Sequence, residues 1–259
     1  MATAFITAFI LFLQLRIADE FKDFDEDSRY RPYRPVPRGL ISLRELAGIG
    51  AAGALVQLGL VLWLSPPLTL LLLAIWIYLA LMTREFFLRA WLRERPITYL
   101  WTHMLIIPLT DFFATACDWQ AAGIGPPEGL AWFIAMSFFN GVALEIGRKT
   151  RAPGDEEVGV QTYSCLWGRQ HAVSVWLAAL LVTGLCAVAA SVRIGFVGPM
   201  ASIVLLLSAA AAFIAWRFLT HPVPGSGGVL EKFSGVWTLV LYLSLGAIPL
   251  LWQLTGGAR

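Results

Sequence analysis

Apolar and polar positions follow one another along this chain in long blocks, not at short period. Eight apolar runs cover residues 2–22, 44–64, 67–88, 97–118, 128–148, 170–191, 195–218 and 233–254. Each is about the length that crosses a hydrocarbon core as a helix. A helix is expected because it pairs its own backbone polar groups, which a single strand in lipid cannot do. Ser65-Pro66-Pro67 is a short break, whereas the breaks after the first, third and fifth runs are long and charged. The expected fold is all-α: a multi-pass transmembrane helical bundle of about eight helices.

Composition agrees. Of 259 residues, 58% are hydrophobic and 14% charged, against about 25% charged in soluble domains. The mean hydropathy is +0.71. No long hydrophilic domain separates the runs, so residues 1–259 are expected to form a single membrane domain. A net charge of +2 and the lack of a basic recognition motif argue against nucleic acid as a partner. Cys117, Cys165 and Cys186 are widely spaced, which suits buried apolar residues and not a metal site or disulfide framework. Residues 2–15 lack a preceding basic stretch and are followed by acids, so no cleavable signal is expected.

Lysine and arginine placement predicts orientation. Lys22, Arg29, Arg31, Arg34 and Arg38 lie at or after the end of the first run. Arg84, Arg89, Arg93 and Arg95 lie at or after the end of the third. Arg148, Lys149, Arg151 and Arg169 lie at or after the end of the fifth, and Arg217 and Lys232 flank the break after the seventh. The other side has Arg193 and Arg259. The charged loops are therefore expected on the cytoplasmic side, with the N-terminus outside. Expected localisation is the cytoplasmic membrane of a prokaryote, with the lipid bilayer as a partner.

The chemistry concentrates in RIADEFKDFDEDSRYRPYRPVPRGLIS, residues 16–42. Asp19, Asp23 and Asp27 stand at i, i+4 and i+8, so a continuing helix lines them up on one face, with Glu20, Asp25 and Glu26 close by. Like charges at this spacing repel unless a cation lies among them. Mg²⁺ suits them, since it takes carboxylate oxygens and keeps places for water and phosphate. Arg29, Arg31, Arg34 and Arg38 follow, interleaved with Pro32, Pro35 and Pro37. The prolines predict an extended loop, and guanidinium forks match phosphate oxygens. Carboxylates for a metal beside arginines for phosphate point to a diphosphate site. Charge runs are commonly solvated faces, but this one begins where a spanning run ends.

DEFKDFDED followed by RPVPRGLIS resembles the first aspartate-rich motif of the UbiA superfamily of intramembrane prenyltransferases. Asp19, Asp23 and Asp27 fall on its three main positions; Asp19 stands where many members have Asn, and Glu20 where many have Asp. The resemblance implies a bundle usually of nine helices, with this motif ending the second. Here it ends the first run, so the family's first helix is expected to be missing, either truly or through a late-assigned start.

A second constellation is FFNGVALEIGRKTRAPGDEEVGVQTYSCLWG, residues 138–168. Asn140, Glu145 and Lys149 lie near one helical face. The resemblance implies a second acidic motif here, ahead of a G-x-x-T. Gly159 and Thr162 match that G-x-x-T and Asp155 its last acid, but Arg148 and Arg151 lie at or near places where aspartates are expected. Glu145, still inside an apolar stretch, is expected to be functional. In the run 97–118, Asp111 and Asp118 share a face, with His103 about 80° round from Asp111. Asp111 suits a cavity wall or acceptor-side base, or an interhelical hydrogen bond; His103 suits packing. Trp63, Trp119 and Trp252 suit interface belts.

The residues and the resemblance together give the following assignment. Asp19, Glu20, Asp23, Asp27 and Asp155 are metal ligands for Mg²⁺. Asp19, Asp23, Asp27, Glu145 and Lys149 are catalytic. Arg31, Arg34, Arg38, Asn140, Arg148, Arg151 and Asp111 contact substrate. The expected reaction is transfer of a prenyl group from an isoprenyl diphosphate to an acceptor that the sequence does not name. A terpene cyclase of the same superfamily, which lets an internal double bond attack, is the first alternative. A cation transporter using Asp111 and Glu145 as a relay is the second; it leaves the Arg-Pro loop unexplained.

Overall fold

The computed structural model describes residues 1–157 and 159–254. Among these the secondary structure is helical, with no strand. Seven helical segments are long and apolar enough to cross a membrane: Ala2–Lys22, Leu43–Leu64, Pro96–Ala121, Leu130–Arg148, Arg169–Ile194, Val197–Thr220 and Gly227–Trp252. A shorter apolar helix spans Leu68–Thr83. Together these correspond to the eight runs. Phe5, Leu55, Trp63, Leu70, Leu205 and Leu206 are largely exposed on them, which in water would leave large apolar surfaces bare. The chain is an integral membrane protein. Arg259, used above for orientation, lies outside the described residues.

Packing divides the chain into two units, Met1–Pro127 and Glu128–Arg259. The first holds α1 (Ala2–Lys22), α2 (Phe24–Tyr30), α3 (Leu43–Leu64), α4 (Leu68–Thr83), α5 (Arg89–Arg93), α6 (Pro96–Met104) and α7 (Ile106–Ala121). Helix α1 packs on α3, α4 and α7. Leu11, Val61, Leu68, Leu72, Ile75 and Phe113 form the core of this unit. Trp119 is partly buried and packs against that core. Gln57, fully buried on α3, donates to the Thr7 carbonyl and accepts from Trp76, which ties α3 to both α1 and α4.

The second unit holds α8 (Leu130–Arg148), α9 (Tyr163–Trp167), α10 (Arg169–Ser191), α11 (Val197–Thr220), α12 (Gly227–Leu245) and α13 (Ala247–Leu254). Helix α8 packs on α10 and α12. Gly147 lets these backbones close up: a Cβ there would stand 3.2 Å from the Leu230 carbonyl oxygen and 3.1 Å from Trp176 Nε1. That indole N–H donates to Ser234 Oγ at 2.9 Å, and Ser234 donates on to Leu230 at 2.8 Å.

The run 97–118 lies in the single spanning segment Pro96–Ala121, with Leu105, between α6 and α7, in helical conformation. One local expectation is corrected. The Arg-Pro loop is not extended. It is a chain of turns, in which the Arg34, Arg38 and Gly39 N–H groups donate to the carbonyls of Arg31, Arg34 and Val36. Pro32, Pro35 and Pro37 each stand second in one of these turns, where a fixed φ favours the turn. Gly39 closes the last with φ +78°, a conformation that suits glycine.

Candidate diphosphate-binding site

The acidic motif sits where α1 gives way to α2. Asp23 has φ −96° and ψ 2°, which interrupts the helix. The hydrogen-bond ladder nevertheless continues: the Asp23, Asp27 and Arg31 N–H groups donate to the Asp19, Asp23 and Asp27 carbonyls at 2.9, 2.8 and 2.8 Å. The i, i+4 backbone bonding of the three aspartates therefore carries across the junction.

Their carboxylates have different surroundings. Asp27 is 1% exposed. Arg31 Nε lies 3.0 Å from its Oδ1, and Arg34 donates to Oδ2 at 2.5 Å. One carboxylate thus holds two guanidiniums of the Arg-Pro loop against the acidic helix end. Arg16 pairs with Glu20 and lies 3.7 Å from Asp19. Asp19 and Asp23 are half-buried, and Arg38 is exposed on the last turn of the loop. Glu26 lies 3.6 Å from Arg93.

Mg²⁺ can be tested against this arrangement. Among the described residues, no three acidic, histidine or cysteine side chains converge on one point. The three-carboxylate set expected from the spacing is therefore not assembled: Asp27 is buried against Arg31 and Arg34, while Asp19 and Glu20 lie beside Arg16 nearer the surface. Mg²⁺ does not need such a cage; it is usually held by one or two carboxylates together with substrate phosphates. Asp19 and Asp23, hard oxygen donors one helical turn apart, fit that mode, with Glu20 next to Asp19.

Beside the motif lies a polar cluster that sequence reasoning missed. Lys22, the last residue of α1, places Nζ against the Tyr99 hydroxyl, 3.3 Å from His103 Nε2 and 3.2 Å from Glu85 Oε1. Glu85 is 9% exposed and opens a left-handed turn: Glu85, Phe86 and Phe87 have φ of 47°, 53° and 60°. For residues bearing a Cβ this conformation costs about 1–2 kcal/mol each, and such strain tends to be retained at functional sites. The turn sends Phe86 edge-on to Tyr78 and His103. The sequence signals are slight: one glutamate closing an apolar run, and a lysine among aspartates.

In the second unit, Glu145 is buried near the end of α8 and takes Arg148 at 2.6 Å and Lys149 at 2.9 Å. Asn140 is buried five residues earlier and accepts from Thr238 at 3.2 Å. Asp155, an expected metal ligand, accepts the Gly225 N–H with both oxygens, at 3.0 and 2.8 Å. Glu156 organises the loop: it accepts from Thr162 at 2.6 Å and Ser164 at 2.7 Å, while Ser164 accepts the Arg151 N–H. Thr162, from the G-x-x-T, also caps α9. Arg151, Gly154, Asp155, Glu156, Gly225 and Gly228 are among the residues around a surface depression of about 370 Å³. In the first unit, Asp111 is half-buried on α7.

Acidic oxygens and arginine forks meet at the end of a spanning helix, and the class of protein is a multi-pass helical membrane bundle. The model of the UbiA prenyltransferase family matches residues 1–234, and the chain belongs to that family. No curated protein and no solved structure matches it.

Proposed function

We propose that this chain is a Mg²⁺-dependent intramembrane prenyltransferase that ionises an isoprenyl diphosphate and passes the prenyl group to an acceptor. The observation that carries the reading is Asp27 holding Arg31 and Arg34 at an acidic helix end, within the residues that match the family. Asp19 and Asp23, with Glu20, are the ion's ligands. When bound, Mg²⁺ supplies positive charge to the departing diphosphate. Arg31, Arg34 and Arg38 orient phosphate oxygens, and Asp27 keeps the first two in place. Arg148, Lys149 and Arg151 are charge-assisted donors of the same chemistry. Apolar helix walls exclude water from the allylic cation, and Asp111 is a polar group for the acceptor side. The charged loops face the cytoplasm of a prokaryotic cell.

A cyclase is the second reading. What favours it is that the carboxylates Glu145 and Asp155 are occupied by Arg148, Lys149 and the Gly225 amide, which departs from a paired acidic motif.

The test is binding of the non-ionising thiolo analogues of farnesyl and geranylgeranyl diphosphate to the purified chain. Binding that weakens at least tenfold in EDTA supports the reading. Equal binding with and without Mg²⁺ refutes the metal's role, and no binding refutes the substrate class.

A further inference from the structure

We propose that Lys22 is a positioning residue, which anchors the end of α1 through Glu85, Tyr99 and His103 and so sets the direction of Asp19 and Asp23. The proposal rests on the reading of those two aspartates as ion ligands.

An ammonium has three donors and no acceptor. Around Lys22 there are three acceptors: the Tyr99 hydroxyl, His103 Nε2 and Glu85 Oε1. The tautomer of His103 follows from its neighbours. Nδ1 lies 2.8 Å from the Tyr99 carbonyl oxygen, which only accepts. Nδ1 therefore carries the proton, and Nε2 offers its lone pair to Lys22. The Tyr99 and His103 rings stack with centroids 3.9 Å apart, which fixes both acceptors as one body. Glu85 brings the compensating charge, and the left-handed turn carries it inward while Phe87 points out.

A lysine satisfied this way is a tether, not a nucleophile. It stands between the two aspartates in sequence, three residues after Asp19 and one before Asp23. At about 100° per residue, Asp19 and Asp23 lie about 60° and 100° round from Lys22, on the same side. Fixing the Lys22 side chain therefore fixes the rotation of the last turn of α1, and with it both carboxylates. The α1 backbone is continuous through Asp19 to Lys22, and Asp23 departs from helical geometry just beyond it, so the tether holds the last turn at its open end.

The experiment uses the full chain in nanodiscs, with Mn²⁺ as the probe ion and a nitroxide on Phe21→Cys, in a background with the native cysteines replaced by alanine. Lys22→Met and Glu85→Gln are expected to mobilise the label and to weaken Mn²⁺ binding, read by electron paramagnetic resonance, about tenfold. Lys22→Met/Glu85→Leu removes both charges, so no buried ion is left alone. It is expected to regain thermal stability while the label stays mobile and Mn²⁺ binding stays weak. Recovery of Mn²⁺ affinity together with stability in the double variant overturns the proposal, since the cluster would then serve stability only. So does an immobile label in the single variants. If the parent chain binds no Mn²⁺ but the label responds as described, the anchor stands and the metal reading falls.

Discussion

Arg34 donates to the Asp27 carboxylate at 2.5 Å across seven residues of chain, and this bond joins the acidic helix end to the Arg-Pro loop. Asp27 and Arg34 therefore act as one structural unit, although their charges suggest separate partners, a metal for one and phosphate for the other. Asp27→Asn leaves two guanidiniums without their buried counter-charge. The expected loss is about 2–4 kcal/mol of stability, measurable as a lowered unfolding midpoint, together with weaker analogue binding. An Asp27→Asn chain as stable as the parent would show that the clamp does not order the loop.

Asp23→Ala is expected to behave differently. Asp23 is half-buried and serves the ion in this account, so its loss leaves the fold intact and lowers Mg²⁺-dependent turnover about 10²-fold or more, by analogy with other lost electrostatic stabilisers. Turnover near the parent value at saturating Mg²⁺ would remove Asp23 from the metal site.

Lys149 and Glu145 form the second charged pair, 2.9 Å apart. Lys149→Ala is expected to lower catalytic efficiency about 10- to 150-fold through loss of a charge-assisted contact to phosphate. Arg148→Asp is expected to bring no gain. Turnover is measured against Mg²⁺ and substrate concentration. If Lys149→Ala is silent while Glu145→Gln and Asp155→Asn each abolish Mg²⁺ dependence, the basic residues are not the phosphate contacts and the acids bind metal.

Gly227→Ala tests the packing behind the second loop. A Cβ there would lie 2.5 Å from the Thr150 carbonyl oxygen and 3.1 Å from Arg151 Cα, both backbone atoms. Neither can swing away as a side-chain tip does, so the start of α12 must shift. The expected destabilisation is about 1–3 kcal/mol, read as a lowered unfolding midpoint. An unchanged midpoint would contradict this close approach.

The spans were legible because length and hydropathy alone decide what can cross a bilayer. The aspartate register was legible because it depends only on helical spacing, and the ladder from Asp19 to Arg31 preserves it. The Arg-Pro loop was misjudged: proline fixes φ for a turn as well as for an extended segment, and Gly39 was the overlooked sign of turns. The Lys22 cluster was not legible. Its partners Tyr99 and His103 lie 77 and 81 residues away, and no local pattern reports a contact between distant segments. The role of Asp27 was hidden for a related reason. A carboxylate at a motif position suits a metal or an arginine equally, and only the fold shows which partner reaches it.

The measurement that tests the central claim most directly is incubation of the purified chain with farnesyl and geranylgeranyl diphosphates and Mg²⁺, with and without a membrane-lipid extract as acceptor source. Release of diphosphate is followed, and the prenyl products are identified. The account predicts release and a prenylated acceptor only when Mg²⁺ and the extract are both present, and neither from Asp23→Ala. A hydrocarbon formed without any acceptor would contradict prenyl transfer and establish the cyclase reading. Intact diphosphate under every condition, from a chain that is folded and membrane-embedded, would contradict the account as a whole.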